Sequence, residues 1–158
     1  MDRYETEMME IDRVTSALYS SICFEEGGKP ALDKLRNLFI PEGKLTNNND
    51  DPPVVMSVDQ FMNTFNQQLS SGTLKSFYEG EISSRTELFG RIAHRFSTYE
   101  AKFNLGTSEQ LAIGINSIQL IKTKGSWLVT SIVWNDETEN RKIPKRYLER
   151  RQTGKIGH

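Results

Sequence analysis

Met8, Ile11, Val14, Leu18 and Ile22 recur at helical spacing near the start of the chain. They predict one helix with a single apolar stripe. Gly27-Gly28 reads as its stop, because glycine enters the left-handed conformation past a helix end without steric cost. Pro30 suits the first turn of a second helix, with Leu32, Leu35, Leu38 and Phe39 as its stripe and Pro41 as its end. Residues 47–53, NNNDDPP, read as a polar loop. Ser57 and Gln60 have the spacing of a capping box, in which the serine oxygen takes an early helix N–H and the glutamine reaches back. Phe61, Met62, Phe65 and Leu69 then line a third helix, closed by Ser71-Gly72.

From Phe77 the pattern becomes extended. Residues 77–88 and 91–103 predict two strands joined at Phe89-Gly90. Residues 111–122 and 127–136, rich in Ile, Leu, Val and Trp, predict two more, joined through Gly125. Long strands with tight turns make an antiparallel meander, and three helices followed by a meander make an α+β domain. The economical packing is a curved antiparallel sheet whose concave face is covered by the helices. Both parities of 127–136 are apolar: Trp127, Val129 and Val133 on one, Leu128, Ile132 and Trp134 on the other. A strand with one face in water alternates more cleanly, so the outer sheet face is expected to be covered by a homodimer partner.

Composition narrows the function classes. The 158 residues suit one domain, and eight Phe, five Tyr and two Trp can anchor a core. The net charge of −1 is unevenly spread, since residues 139–158 carry +5 and the remainder −6. That basic tail has one aromatic residue, Tyr147, and no stacking platform for single-stranded nucleic acid. It reads as a solvated terminal segment, and nucleic acid is not an expected partner. Cys23 is the single cysteine, which excludes an internal disulfide. With only His94 and His158 beside it, no His/Cys zinc set forms within the chain, and no metal is expected. No apolar run reaches the ~20 residues of a membrane span, and the first five residues lack a secretion-signal pattern. The membrane is therefore not an expected partner, and the cytoplasm is the expected location. The chain has no G-x-S-x-G elbow, phosphate-cradling loop or dinucleotide fingerprint, so a serine hydrolase, nucleotide hydrolase or dehydrogenase is not expected, nor is a cofactor.

Residues 118–134, IQLIKTKGSWLVTSIVW, run as strand, glycine turn, tryptophan, and a strand ending at a second aromatic. Residues 92–100 place a small residue before alternating apolar and hydroxyl positions, and Asn37-Leu38-Phe39 ends the second helix. Over residues 8–138 this order resembles the nuclear-transport-factor-2-like superfamily, SnoaL-like branch. The resemblance implies a cystatin-like roll: a cone-shaped curved antiparallel sheet around an interior pocket, packed with three N-terminal helices. It implies one domain over 1–138, with 139–158 as a basic C-terminal tail. Members include isomerases, dehydratases, epoxide hydrolases, cyclases and transport adaptors, so the fold carries no single chemistry.

Candidate site residues follow from that cone. Trp134 and Asp136 share a parity at the end of the last strand. A similar tryptophan–x–aspartate in the epoxide-hydrolase branch sets a carboxylate at the pocket mouth, which makes Asp136 a candidate base. His94, inside the fold, is a candidate proton shuttle. Its parity is open, because Ala93, Arg95, Ser97 and Tyr99 facing inward would put Tyr99 and Arg95 in its place. Likeness to ketosteroid isomerase puts the general-base position at about Asn47 and the acid position at about Asn116. Both are amides, which argues against that mechanism, although Asn116 can still donate to an oxyanion. Tyr19 follows Leu18 on the first helix and can turn its hydroxyl into the pocket, while Cys23, with no basic neighbour, reads as a small core residue. With Ile118, Ile132 and Trp134 as apolar wall, the expected function is binding of a small, mostly apolar organic molecule. The alternatives are a cofactor-free hydratase, isomerase or cyclase using Asp136 or His94, and a protein-association module using the outer sheet face and the tail.

Overall fold

Helix α1 (Arg3–Ile22) starts at Asp2, whose carboxylate accepts the Glu5 N–H at 2.8 Å. The computed structural model describes residues 2–149 of the chain. Helix α1 ends at Ile22 rather than at the glycine pair, because Phe24 leaves the helix to bridge Phe77 in antiparallel fashion. Gly27, with φ +87°, shapes the turn that follows. Helix α2 (Leu32–Asn37) is shorter than its apolar stripe implies. The chain is captured at Leu38, whose carbonyl accepts the Val129 N–H at 2.8 Å. Phe39 and Pro41 therefore open a strand, β1 (Phe39–Asn47), instead of closing a helix. The polar loop turns the chain into β2 (Val54–Ser57), paired with β1 from Asn47↔Val54 to Lys44↔Ser57. Helix α3 (Val58–Ser70) has both halves of the capping box, Gln60 N–H to Ser57 Oγ at 3.1 Å and Ser57 N–H to Gln60 Oε1 at 2.8 Å.

The meander follows as β3 (Ser76–Phe89), β4 (Ile92–Asn104), β5 (Glu109–Thr123) and β6 (Ser126–Asp136). The sheet has six strands in the order β2-β1-β6-β5-β4-β3, and all pairs are antiparallel except β1 with β6. The architecture is thus α+β, with two more strands than the four that the sequence pattern predicts. The helices lie on one face of the sheet. Ile11, Leu18, Leu35, Phe65, Leu120 and Val129 meet there as the core. Among the described residues, no helix is long and apolar enough to cross a membrane.

Two irregularities decide which side chains face that core. In β6 the pairing steps from Leu120↔Val129 to Gln119↔Ser131, leaving Thr130 as an extra residue. Trp127 and Val129 before it, and Ile132 after it, are all buried, although they differ in parity. This corrects the reading of β6. Its apolar residues occupy both parities because the strand switches phase, not because both faces are covered. In β3 the pairing steps from Glu81↔Tyr99 to Ser83↔Thr98, leaving Ile82 as the extra residue.

The described part of the basic tail folds back on the sheet. The Tyr147 ring lies 5.3 Å from Phe96 in an edge-on contact, and the Tyr147 carbonyl accepts the Thr98 hydroxyl at 2.6 Å. Arg85 donates to the Arg146 carbonyl at 3.0 Å. Part of the outer face is therefore covered by the chain itself. Arg150, Arg151, Lys155 and His158 lie outside the described residues.

Candidate functional site

A cavity of about 380 Å³ lies between the concave sheet and the helices. Its apolar wall is a run of aromatic rings. Trp134 meets Phe61 at 6.4 Å, Phe61 meets Phe65 at 6.0 Å, Phe65 meets Phe77 at 5.9 Å, and Phe77 meets Phe103 at 6.1 Å between centroids. Three of these pairs are edge-on or tilted beyond 45°, the arrangement that ring quadrupoles favour. Ile118 and Ile132 complete the wall from β5 and β6.

The floor is polar. Tyr19 from α1, Glu79 from β3, Tyr99 from β4, Asn116 from β5 and Asp136 from β6 all line the cavity. Asn116 spends both amide hydrogens here, one on the Tyr19 hydroxyl oxygen and one on Glu79 Oε2, each at 3.1 Å. Ser97 donates to Glu81 Oε2 at 2.5 Å, so the hydroxyl contact between Tyr19 and Ser97 at 2.6 Å has Tyr19 as donor. Tyr99 donates to Asp136 Oδ1. Asn49, from the loop between β1 and β2, donates to Asp136 Oδ2 at 3.2 Å and accepts the Asp136 backbone N–H at 2.6 Å. The Tyr99–Asp136 contact needs Gly114 between them. A Cβ at that position would sit 2.6 Å from the Asn135 carbonyl and inside the Tyr99 ring's own contact distance.

Burial sets the protonation states. It pushes the Glu79 carboxyl up to about 7, against the hydrogen bond from Asn116 and with added repulsion from Asp136. Burial, together with the Glu79 carboxylate, pushes the Tyr19 hydroxyl well above the usual phenol range. Burial and the bond to Asp136 do the same for Tyr99. Both phenols therefore stay protonated at neutral pH and remain donors. Burial also raises the Cys23 thiol, which donates to the Tyr19 carbonyl at 3.1 Å. Tyr19 and Glu79 line a second cleft as well, between α1 and β3.

The structure brings Tyr19, Asn116, Ile118, Ile132, Trp134 and Asp136 to one cavity. Asn47 also lines it, with its Oδ1 taken by the Asn49 N–H at 3.0 Å. His94 goes elsewhere. Its side chain is 59 % exposed on the outer face, with Nε2 at 2.7 Å from Glu87 Oε1. The open parity on β4 resolves toward Ala93, Arg95, Ser97 and Tyr99, all buried. Tyr99 reaches the cavity. Arg95 does not line it, being held beneath α1 by Glu81 and Asp12 at 2.6 and 2.7 Å. Sequence reasoning missed Glu79, which sits in a stretch, Tyr78-Glu79-Gly80-Glu81, that reads as charged and solvent-facing. The available signal was its parity with Phe77. Among the described residues, no group of three or more His, Cys, Asp or Glu side chains is arranged to hold a metal ion.

No family model and no curated protein sequence matches the chain. Solved structures do match. The hexachlorocyclohexane dehydrochlorinase LinA-type3 from Novosphingobium barchaimii superposes with a TM-score of 0.70 at 10 % identity, covering 84 % of this chain and 88 % of that one. A provisionally assigned dehydratase from the NTF2-like family of Streptomyces avermitilis superposes at 0.65 with 12 % identity, covering 85 % and 98 %. A protein of unknown function with a cystatin-like fold from Nostoc punctiforme superposes at 0.65 with 11 % identity, covering 85 % and 93 %. The neighbours thus include enzymes and proteins without assigned activity, and what they share with this chain is its architecture, a cystatin-like fold.

Proposed function

We propose that the chain binds a small, mostly apolar organic molecule inside the cone. The observation that carries this reading is the cavity of about 380 Å³ with an aromatic wall and a floor where five polar side chains from five elements converge. Ligand pockets have this make-up, mainly apolar with a few fixed polar groups. The wall excludes water from the apolar body of the ligand, and the floor fixes its polar end. The test is titration with N-phenyl-1-naphthylamine, a neutral dye that fluoresces in apolar surroundings. A saturable rise is expected for the native chain and its loss in Ala112→Phe, which fills the cavity from β5. Equal dye binding by a folded Ala112→Phe protein would refute the cavity as the site.

Glu79 supports a second reading, a cofactor-free enzyme that moves a proton. A carboxyl balanced near neutral pH can take a proton from a ligand and return it. Tyr99 and Asn116 flank the same space and would orient the substrate. In this reading Glu79 takes the part expected of His94, and Asp136 acts through Tyr99. The homodimer expected from β6 has lost the observation it stood on, because the phase switch at Thr130 accounts for the two apolar parities. Exposed Val133, on the outer face of β6, is what still favours it.

A further inference from the structure

We infer that the ligand of the cone is an organic cation: an apolar, preferably aromatic, body carrying an ammonium group. This inference rests on the cone-interior reading above and names the ligand class for it. Three observations lead to it. First, the described lining residues include two carboxylates, Glu79 and Asp136, and no Lys, Arg or His. The chain has 20 Lys and Arg, yet none of the described ones lines this space, and Arg95, on the same strand as Tyr99, is turned away to Glu81 and Asp12. An anionic ligand would meet repulsion with no counter-charge, and a cation would meet attraction strengthened by the low local dielectric.

Second, the floor offers acceptors. The hydrogens of Tyr19, Tyr99 and Asn116 are already committed to Ser97, Asp136 and the Tyr19–Glu79 pair. Glu79 Oε2 accepts from Asn116, and Oε1 has no hydrogen-bond partner among the described residues. At Tyr19, Tyr99, Asn116 and Glu79 the floor presents lone pairs, which suit an N–H donor better than a carbonyl, while the other amide N–H groups in the lining are those of Asn47 and Gln68, which carry no charge. Third, the wall of the same cavity is aromatic. Phe61, Phe65, Phe77, Phe103 and Trp134 present π-faces and edges to anything held there, and a π-face attracts a cation. An ionised Glu79 and a bound ammonium stabilise each other, so binding draws the Glu79 proton off.

The test uses three ligands with a common phenylalkyl body and a cationic, neutral or anionic head group: 3-phenylpropylamine, 3-phenylpropan-1-ol and 3-phenylpropionate. Each is titrated against protein loaded with N-phenyl-1-naphthylamine at pH 8, where Glu79 is ionised and the amine is protonated. The amine is expected to displace the dye at about tenfold lower concentration than the alcohol, equivalent to about 1.4 kcal/mol, with the carboxylate weakest. Glu79→Gln is expected to bring amine and alcohol together, read as the ratio of their displacing concentrations against dye titrated on the same variant. An alcohol equal to or better than the amine, or dye that none of the three displaces, would overturn the cation inference and leave the cone-interior reading standing. Failure of the dye itself to bind native protein would overturn both.

Discussion

Glu79 combines two properties that rarely coincide in one carboxyl. It is buried enough to resist ionisation, and it is hydrogen-bonded through only one of its oxygens. Its surroundings are Asp136 from β6, Tyr99 from β4, Asn116 from β5, Tyr19 and Cys23 at the end of α1, and Glu81 on its own strand. The two phenols and the thiol shift upward and stay neutral through the range where Glu79 titrates. The folded-state value of about 7 lies above the ordinary 4.5. The sign follows: the stability Glu79 contributes is fully present below about pH 4.5 and is lost as pH rises through about 7. Glu79→Gln removes that loss. The variant is expected to gain about 2–3 kcal/mol on the native protein between pH 5 and pH 8, at about 1.4 kcal/mol per unit. Urea midpoints at the two pH values measure it, and a constant difference would show that Glu79 does not titrate there. The residue was hidden in the sequence because a Glu among Tyr78, Gly80 and Glu81 has the local composition of an exposed strand. Only the pairing of β3 with β4 reveals that it faces Tyr99's side of the sheet.

At the scale of elements, the site depends on one inserted residue. If Thr130 were paired with Gln119 instead of bulged, β6 would keep a single phase, and Ile132, Trp134 and Asp136 would turn to the outer face. Deleting Thr130 joins the pairs Leu120↔Val129 and Gln119↔Ser131 without a bulge and keeps Ile132, Trp134 and Asp136 facing inward, so dye binding is expected to persist, as followed by fluorescence, with the fold checked by circular dichroism. A folded deletion variant that no longer binds dye would contradict Thr130 as the extra residue. The long helices and the four meander strands were legible because their signals are local: helical apolar spacing, a capping box at Ser57, and Val, Ile and Trp runs ended by Gly90 and Gly125. Strand β1 was not. It contains Pro41 and Gly43, its apolar residues fit a helical stripe as well, and its partner β6 lies far away in sequence. Parity counting failed at the two bulges for a related reason, since a bulge is specified by pairing rather than by the bulged strand alone. Tyr19, Asn116, Ile118, Ile132, Trp134 and Asp136, expected from the resemblance and strand parity, line the cavity. His94 was displaced by a parity that the sequence left open.

For the whole molecule, the cone stays open only while α1 remains seated across the sheet. Two buried polar anchors hold it. Glu7 accepts from Lys122 Nζ at 2.5 Å and from Trp127 Nε1 at 2.6 Å, and this bond to Lys122 holds its carboxyl below the usual range. Arg95, 1 % exposed, forks to Glu81, Asp12 and Thr86 and so ties α1 to β3 and β4. Arg95→Met leaves two carboxylates without their guanidinium partner and is expected to cost about 3–5 kcal/mol in denaturant unfolding. A loss below 1 kcal/mol would mean that the Arg95 anchor does not seat α1. The same anchors keep cationic side chains engaged away from the cavity, which leaves its floor acidic. The central claim, that the cone interior is a ligand site with Glu79 at its floor, is tested most directly by a crystal structure of the protein soaked with 3-phenylpropylamine. The account expects the amine nitrogen within hydrogen-bond reach of Glu79 and the phenyl ring among Phe61, Phe65 and Phe77. A ligand bound on the outer face, or a cavity filled by rearranged side chains of the protein itself, would contradict it.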